Sequence, residues 1–338
     1  MAGLSRWPLV VAPMAGATTA ALVTAVARAG ALGFLAAGYK TAEALAADMA
    51  DVRAAGVASF GVNVFVPGRP AADPQRVAAY VGSLAAEAVA LGVAPGRATW
   101  DDDHYPQKLE VLLARPPALV SFTFGVPEPE VVGSLQAAGS LVVLTASTAE
   151  EAAVALGAGP DALCLQGCEA GGHRAGFAND DRPDQDRPLR ALLAAVRRRT
   201  LVPLVAAGGV SGPAAVVDLL ARGASLVQVG TAFLRCPESG APPAHKDALV
   251  AAGLDATAVT RAFSGRRARA LVTAMVREHP DAPAAYPEVN NATRPIRAAA
   301  AEVGDLGRMS LYAGTAHRRA EARPACEVVE RLVSGLRP

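Results

Sequence analysis

The chain has 338 residues, 52% of them hydrophobic but only 4% aromatic, and its 32 basic side chains nearly balance 31 acidic ones for a formal net charge of +1. Such a composition excludes a disordered, collagenous, coiled-coil or disulfide-stapled chain. It also lacks the bulk basic excess by which a nucleic-acid partner announces itself.

Short apolar runs alternate with helical patterns from the N-terminus onward, the signature of a parallel sheet built from βαβ units. The first run, Leu9–Met14, precedes Thr18 and Thr19, either of which can cap a helix carrying Leu22, Val23 and Val26 and ending near Gly30. Further strands are expected at Gly33–Ala37, Gly61–Phe65, Leu119–Phe124, Leu141–Ala146, Ala162–Gln166, Leu204–Ala207 and Leu226–Val229. Pro213 opens another helix, which closes at Gly223. Eight strand–helix units favour an α/β fold of the closed (β/α)8 TIM-barrel type over an open doubly wound sheet.

Two stretches exceed the repeat. Residues 66–117 are longer than one crossover requires, so extra helix is expected there, along with the acidic segment Trp100–Tyr105. Residues 235–322 follow the eighth strand as a mainly helical cap, with loops at Pro280–Pro295 and Leu311–Thr315. Cys326–Leu336 returns as a helix closing the barrel. The expected division is therefore a barrel at 1–234, a cap at 235–322 and a closing segment at 323–338.

No membrane span is expected, because Pro13, Gly16, Arg28, Gly30 and Gly33 interrupt the most apolar stretch, Pro8–Tyr39. The four cysteines (Cys164, Cys168, Cys236, Cys326) form no C-x-x-C pair, which argues against a zinc site and for a reduced, cytoplasmic setting. A metal is not expected from the five histidines either, since they share no ligand spacing.

In a parallel barrel the chemistry sits at the C-terminal ends of the strands. Reading those ends in order gives Pro13-Met14-Ala15, Asn63, Thr123, Gln166, Gly208-Gly209, Gln228 and Gly230-Thr231. Asn63 and Gln166 end otherwise apolar strands, so their amides need partners, either a ligand or a neighbouring loop. The glycines after strands seven and eight occupy the recurrent phosphate position of this fold, where backbone N–H groups and a helix N-terminus attract an anion. Between them, Gln166-Gly167-Cys168-Glu169-Ala170-Gly171-Gly172-His173 bends tightly and presents an imidazole able to accept or donate a proton near neutral pH. Asp101-Asp102-Asp103 reads as a solvated, helix-capping cluster, and Asp180–Arg187 as a lid beside the site.

These segments, with Ser121-Phe122-Thr123-Phe124-Gly125, Pro237-Glu238-Ser239 and Tyr312-Ala313-Gly314, resemble those of the nitronate monooxygenases, FMN-dependent (β/α)8 barrels. The resemblance implies that Pro13, Met14 and Ala15 line an FMN, that Asn63 and Gln166 bond its pyrimidine side, and that Gly171 and Gly172 lie against the ring. It implies further that Gly208, Gly209, Gly230 and Thr231 take the phosphate, with Gln228 close by. His173 becomes the base that removes the proton alpha to a nitro group or orients the nitronate, and Tyr312 closes over the substrate. The implied reaction is oxidation of alkyl nitronates, or nitroalkanes, by dioxygen to a carbonyl compound and nitrite. Thr123 stands where members of the family often carry a second histidine, so substrate handling is expected to differ there. Related barrels keep open an NAD(P)H-dependent flavin reductase acting on a quinone or enoyl thioester. The sequence also leaves open a homodimer.

Overall fold

A computed structural model describes residues 3–180 and 186–336. Among them the strands are β1 Leu9–Val11, β2 Leu32–Ala36, β3 Gly61–Phe65, β4 Leu119–Thr123, β5 Leu141–Ala146, β6 Ala162–Gln166, β7 Gly172–His173, β8 Leu204–Ala207, β9 Leu226–Val229, β10 Thr257–Thr260 and β11 Ala268–Leu271. Eight of these close a barrel in the order β1-β2-β3-β4-β5-β6-β8-β9, every neighbouring pair parallel. The ring shuts where Leu9, Val10 and Val11 pair with Val227, Gln228 and Val229. β1 is shorter than the apolar run suggested. Pro13 has no N–H for the ladder, and the Met14 carbonyl turns to accept from Ala17 and Thr18 instead.

The helices are α1 Ala20–Arg28, α2 Ala42–Ala54, α3 Pro74–Ser83, α4 Ala85–Ala90, α5 Tyr105–Ala114, α6 Pro129–Ala137, α7 Ala149–Leu156, α8 Leu189–Arg197, α9 Pro213–Ala221, α10 Pro243–Ala248, α11 Ala274–Glu278, α12 Glu288–Val303 and α13 Ala325–Val333. Thr19, Thr41 and Thr148 cap α1, α2 and α7 by accepting from the Leu22, Ala44 and Glu151 amides. Strand alternation sorts the apolar residues into two layers. Val10, Leu32, Phe34, Leu119, Val143 and Val205 fill the barrel interior, while Leu9, Val11, Leu35, Val62 and Val120 face the helices. α13 completes that outer layer, burying Val328, Val329, Leu332 and Val333 where it packs beside α1 and α9.

The cap draws on two stretches of chain. Val77, Tyr80, Leu84 and Ala88, from the long β3–β4 connection, share a buried cluster with Phe263, Met275, Val289 and Ile296 of the insertion. The cap also holds a three-stranded antiparallel sheet in the order β10-β11-β7, so His173 pairs with Ala268 of the insertion rather than with a barrel strand. The stretch read as a loop at Pro280–Pro295 is helical from Glu288, with Pro295 inside α12. Pro295 cannot donate to the Asn291 carbonyl one turn back, and the Gly96 amide packs beside this turn, donating to the neighbouring Ala292 carbonyl at 2.8 Å. Among the described residues no helix is long and apolar enough to cross a membrane. The expected lid at Asp180–Arg187 falls mostly on residues 181–185, outside the described residues.

Candidate active site

At the C-terminal end of the barrel a cavity of about 690 Å³ opens between strand ends and cap. All the residues singled out from sequence line it: Pro13, Met14, Ala15, Asn63, Thr123, Gln166, Gly171, Gly172, His173, Gly208, Gly209, Gln228, Gly230, Thr231 and Tyr312. Their local bonding shows which are free to meet a ligand.

The two strand-end amides behave differently. Gln166 is occupied by its own loop: its Nε2 donates to the His173 carbonyl at 3.0 Å and its Oε1 accepts from the Ala175 amide at 2.9 Å. It braces the segment that carries the histidine. Asn63 spends only its NH2 group, on the Ser121 hydroxyl and the Thr123 hydroxyl at 2.9 Å each and on the Ser121 carbonyl at 3.2 Å. The Thr123 hydroxyl thus helps orient the Asn63 amide. The Gln228 side chain lines the cavity with no hydrogen bond to any described residue, its backbone being held in the barrel ladder.

After β8, Gly208 and Gly209 adopt φ +127° and +68°, left-handed conformations that expose successive amides at low cost only in glycine. They lead to the N-terminus of α9, and the loop after β9 brings Gly230 alongside. Thr231 is tied to the cap, its hydroxyl accepting from the Gly314 amide at 3.0 Å.

Several aromatic rings gather around His173. Its ring centroid lies 5.7 Å from Phe124, 5.7 Å from Tyr286 and 5.3 Å from Tyr312; Phe65 and Tyr39 continue the wall. The Tyr312 hydroxyl is buried without a partner. Nε2 of His173 is 2.8 Å from the Ser264 hydroxyl. Shielding from water, reinforced by the guanidinium groups of Arg266, Arg297 and Arg174, pushes the imidazole down to about 3, so it is neutral at physiological pH. Arg266 stacks over the Phe124 ring at 3.8 Å.

Charge on the cavity wall is one-sided. Lys40, Arg294, Arg297 and Arg319 line it, and no Asp or Glu does so among the described residues. Among the described residues the Arg297 guanidinium has only neutral hydrogen-bond partners: the Thr293 hydroxyl at 3.1 Å, and the Asn290 carbonyl and side-chain oxygens at 3.1 and 2.8 Å.

Sequence reasoning missed what the cap contributes. Ser264, Arg266, Tyr286 and Arg297 carry no periodic signal that would aim them at strand ends. His245, which sequence pattern ranks among the weaker histidines in polar loops or helices of the insertion, is buried, lines the cavity and donates from Nε2 to the Tyr312 carbonyl at 3.1 Å, its imidazole held down to about 4 by burial. The acidic run is not a solvated cap. Asp101 accepts from Asn291 of α12, while Asp103 accepts from the Tyr39 amide at 2.9 Å and pairs at 2.7 Å with the fully buried Lys108. Neither thiol flanking Gln166 is activated; burial pushes Cys164 up to about 12 and raises Cys168 as well.

The family model for nitronate monooxygenase matches residues 1–335. A nitronate monooxygenase of Pseudomonas aeruginosa is 38% identical over 98% of this chain and 96% of its own length, and one of Paraburkholderia phytofirmans is 35% identical over 96% and 91%. Among solved structures, a nitroalkane oxidase from Streptomyces ansochromogenes superposes with a TM-score of 0.95 at 46% identity, covering 98% of this chain and 96% of that one. FabK from Thermotoga maritima follows with a TM-score of 0.73 at 25% identity, covering 98% and 93%. On the full-length match and these identities, the chain belongs to the nitronate monooxygenase family.

Proposed function

We propose that this protein binds FMN and uses dioxygen to oxidise nitronate anions to a carbonyl compound and nitrite, in the cytoplasm. One observation carries the reading. A single cavity combines an amide-rich glycine cradle, a neutral imidazole walled by aromatic rings, and an arginine without an acidic partner.

The residues fit FMN. Gly208, Gly209 and Gly230 would hold the phosphate with the N-terminus of α9, where exposed amides and the helix dipole favour an anion. The free Asn63 oxygen and the Gln228 amide offer an acceptor and a donor to a ring carrying both. Met14 and Gly171-Gly172 would border the ring. FMN, when bound, takes the electrons from the substrate and delivers them to dioxygen. The protein supplies binding and charge. Arg297 attracts a nitronate, a delocalised anion, into a cavity whose lining includes no carboxylate among the described residues to repel it. His173, neutral before substrate arrives, accepts a proton only as negative charge develops beside it, which favours preformed nitronates over neutral nitroalkanes. Residues 1–234 and 323–338 hold the cofactor in this reading, and 235–322, joined by α3 and α4, close the substrate side. The four cysteines, all free thiols, support the cytoplasmic setting.

Purified protein should carry a flavin spectrum that bleaches when propionate 3-nitronate is added without oxygen. Failure to hold FMN even after reconstitution overturns the proposal, and bleaching by NADH but not by nitronate replaces it with a reductase. His173→Asn should keep FMN and lose more activity on neutral nitroalkanes than on nitronates. Equal losses would remove the proton-accepting role.

A further inference from the structure

Ser264 stands at a three-way contact. Its hydroxyl oxygen lies 2.8 Å from His173 Nε2, 3.2 Å from the Arg266 carbonyl oxygen and 3.3 Å from the Arg266 amide nitrogen. The residue is 1% exposed, so bulk water offers no substitute partner.

A hydroxyl has one proton to give and two lone pairs. The Arg266 carbonyl can only accept, its amide can only donate, and the imidazole nitrogen alone can do either. Were the serine proton given to Nε2, the Arg266 carbonyl would face a lone pair at 3.2 Å. Giving the proton to that carbonyl leaves one lone pair for the Arg266 N–H and one for a proton on Nε2. Only this arrangement satisfies all three neighbours, as buried polar groups require. The Tyr312 hydroxyl also lies against Ser264 but makes no aligned hydrogen bond.

We propose that Ser264 is a positioning residue that fixes His173 as the Nε2–H tautomer, leaving the Nδ1 lone pair as the ring nitrogen available to substrate. Nδ1 has no hydrogen bond to any described residue, and the ring lines the cavity.

The turn around Ser264 is held on both sides. The Phe263 carbonyl accepts from the Thr293 hydroxyl, and the Gly265 carbonyl accepts from Asn179 Nδ2 at 2.6 Å and the Ala285 amide at 3.0 Å. Gly265 has φ +73°, and a Cβ there would collide with the Ala285 carbonyl. Arg266 is anchored in turn by the Gly176 carbonyl and the Phe124 ring. The hydroxyl therefore has little freedom to exchange partners.

The consequence depends on substrate. With a neutral nitroalkane, Nδ1 takes the proton alpha to the nitro group, the C–H electron pair stays behind as the nitronate, and the imidazolium keeps its Nε2–H on Ser264. A preformed nitronate has no such proton to lose, so the tautomer matters less. This deepens the proposed function and rests on its reading that His173 meets substrate.

The test uses FMN-loaded enzyme labelled with 15N-histidine, with the His173 resonances identified by their loss in His173→Asn. Between about pH 6 and 8 the spectrum should show Nε2 protonated and Nδ1 bare; a proton on Nδ1 overturns the assignment. Ser264→Ala should lower kcat on a neutral nitroalkane about 10-fold with little change on the preformed nitronate, and Ser264→Thr should recover most of the loss. Equal losses on both substrates overturn the positioning role. A His173→Asn enzyme with wild-type turnover of both sinks the functional reading instead, and the resonance alone then decides the tautomer.

Discussion

Gly171 and Gly172 are adjacent, yet alanine should fail in them for different reasons. A Cβ on Gly171 would run into the Ala313 carbonyl carbon and the Gly314 nitrogen and sit 2.9 Å from the Ala313 Cα. Carbon atoms prefer roughly 3.5–4.0 Å, so backbone must move by more than about half an ångström. Overpacking of this kind costs about 1–3 kcal/mol, and the upper end applies because no side chain can rotate away. The displaced segment is also the one whose Gly314 amide is bonded to Thr231, so the phosphate end of the cavity shifts with it. At Gly172 a Cβ meets nothing within 4 Å, and the only penalty is its φ of +74°. That strain of about 1–2 kcal/mol is partly offset by the reduced freedom of the unfolded chain, leaving roughly 1 kcal/mol. For a chain of this length thermal melts should place Gly171→Ala roughly 4 °C below wild type and Gly172→Ala roughly 1.5 °C below. Flavin absorbance per protein should fall mainly in the first. A reversed order of melting temperatures, or full flavin content in Gly171→Ala, would refute the steric reasoning.

The remaining predictions concern charge. His173 and His245 have folded-state values of about 3 and about 4, below the unfolded value near 6.5. The unfolded chain therefore binds more protons in that interval, and stability should fall as pH drops from about 6.5 toward 4; urea midpoints that stay flat between pH 6.5 and 5 contradict this. Lys108→Met strands the Asp103 carboxylate and should cost about 2 kcal/mol, most of it recovered in Lys108→Met/Asp103→Asn, as denaturant titration of the three proteins would show. Arg297→Met should raise KM for an anionic nitronate about 10-fold at unchanged kcat in steady-state assays. An unaltered KM would mean that its charge does not meet the substrate.

The barrel was legible because its strands are short apolar runs buried on both faces. Five of them, Gly61–Phe65, Leu141–Ala146, Ala162–Gln166, Leu204–Ala207 and Leu226–Val229, have the bounds read from sequence. Strand ends then located one half of the cavity, since a parallel barrel gathers them at one rim. The other half was hidden for a physical reason. Arg297 lines the cavity, and Ser264, Arg266 and Tyr286 pack around His173 and Phe124, only through tertiary docking of the cap, and α12 was obscured by Pro295 within it. Gln166 shows a subtler limit. Its polar ending on an apolar strand was real, but the partner that satisfies it is the backbone of its own loop.

The pairing of His173 with Ala268 places the imidazole on the cap sheet and the glycine cradle on the barrel rim. Two backbone pairs, His173 with Ala268 and Gly172 with Arg269, fasten the imidazole to that sheet, so the spacing between the two halves is set by the seat of the cap on the barrel rather than by any single loop. Such a design separates retention from turnover. On the proposed function, a lesion in the cap core, at Val289 or Ile296 for instance, should leave a protein that is yellow and inert, whereas one at the rim of β8 should yield a colourless protein with its imidazole still in place. Colour and rate thus become independent gauges of which half has failed.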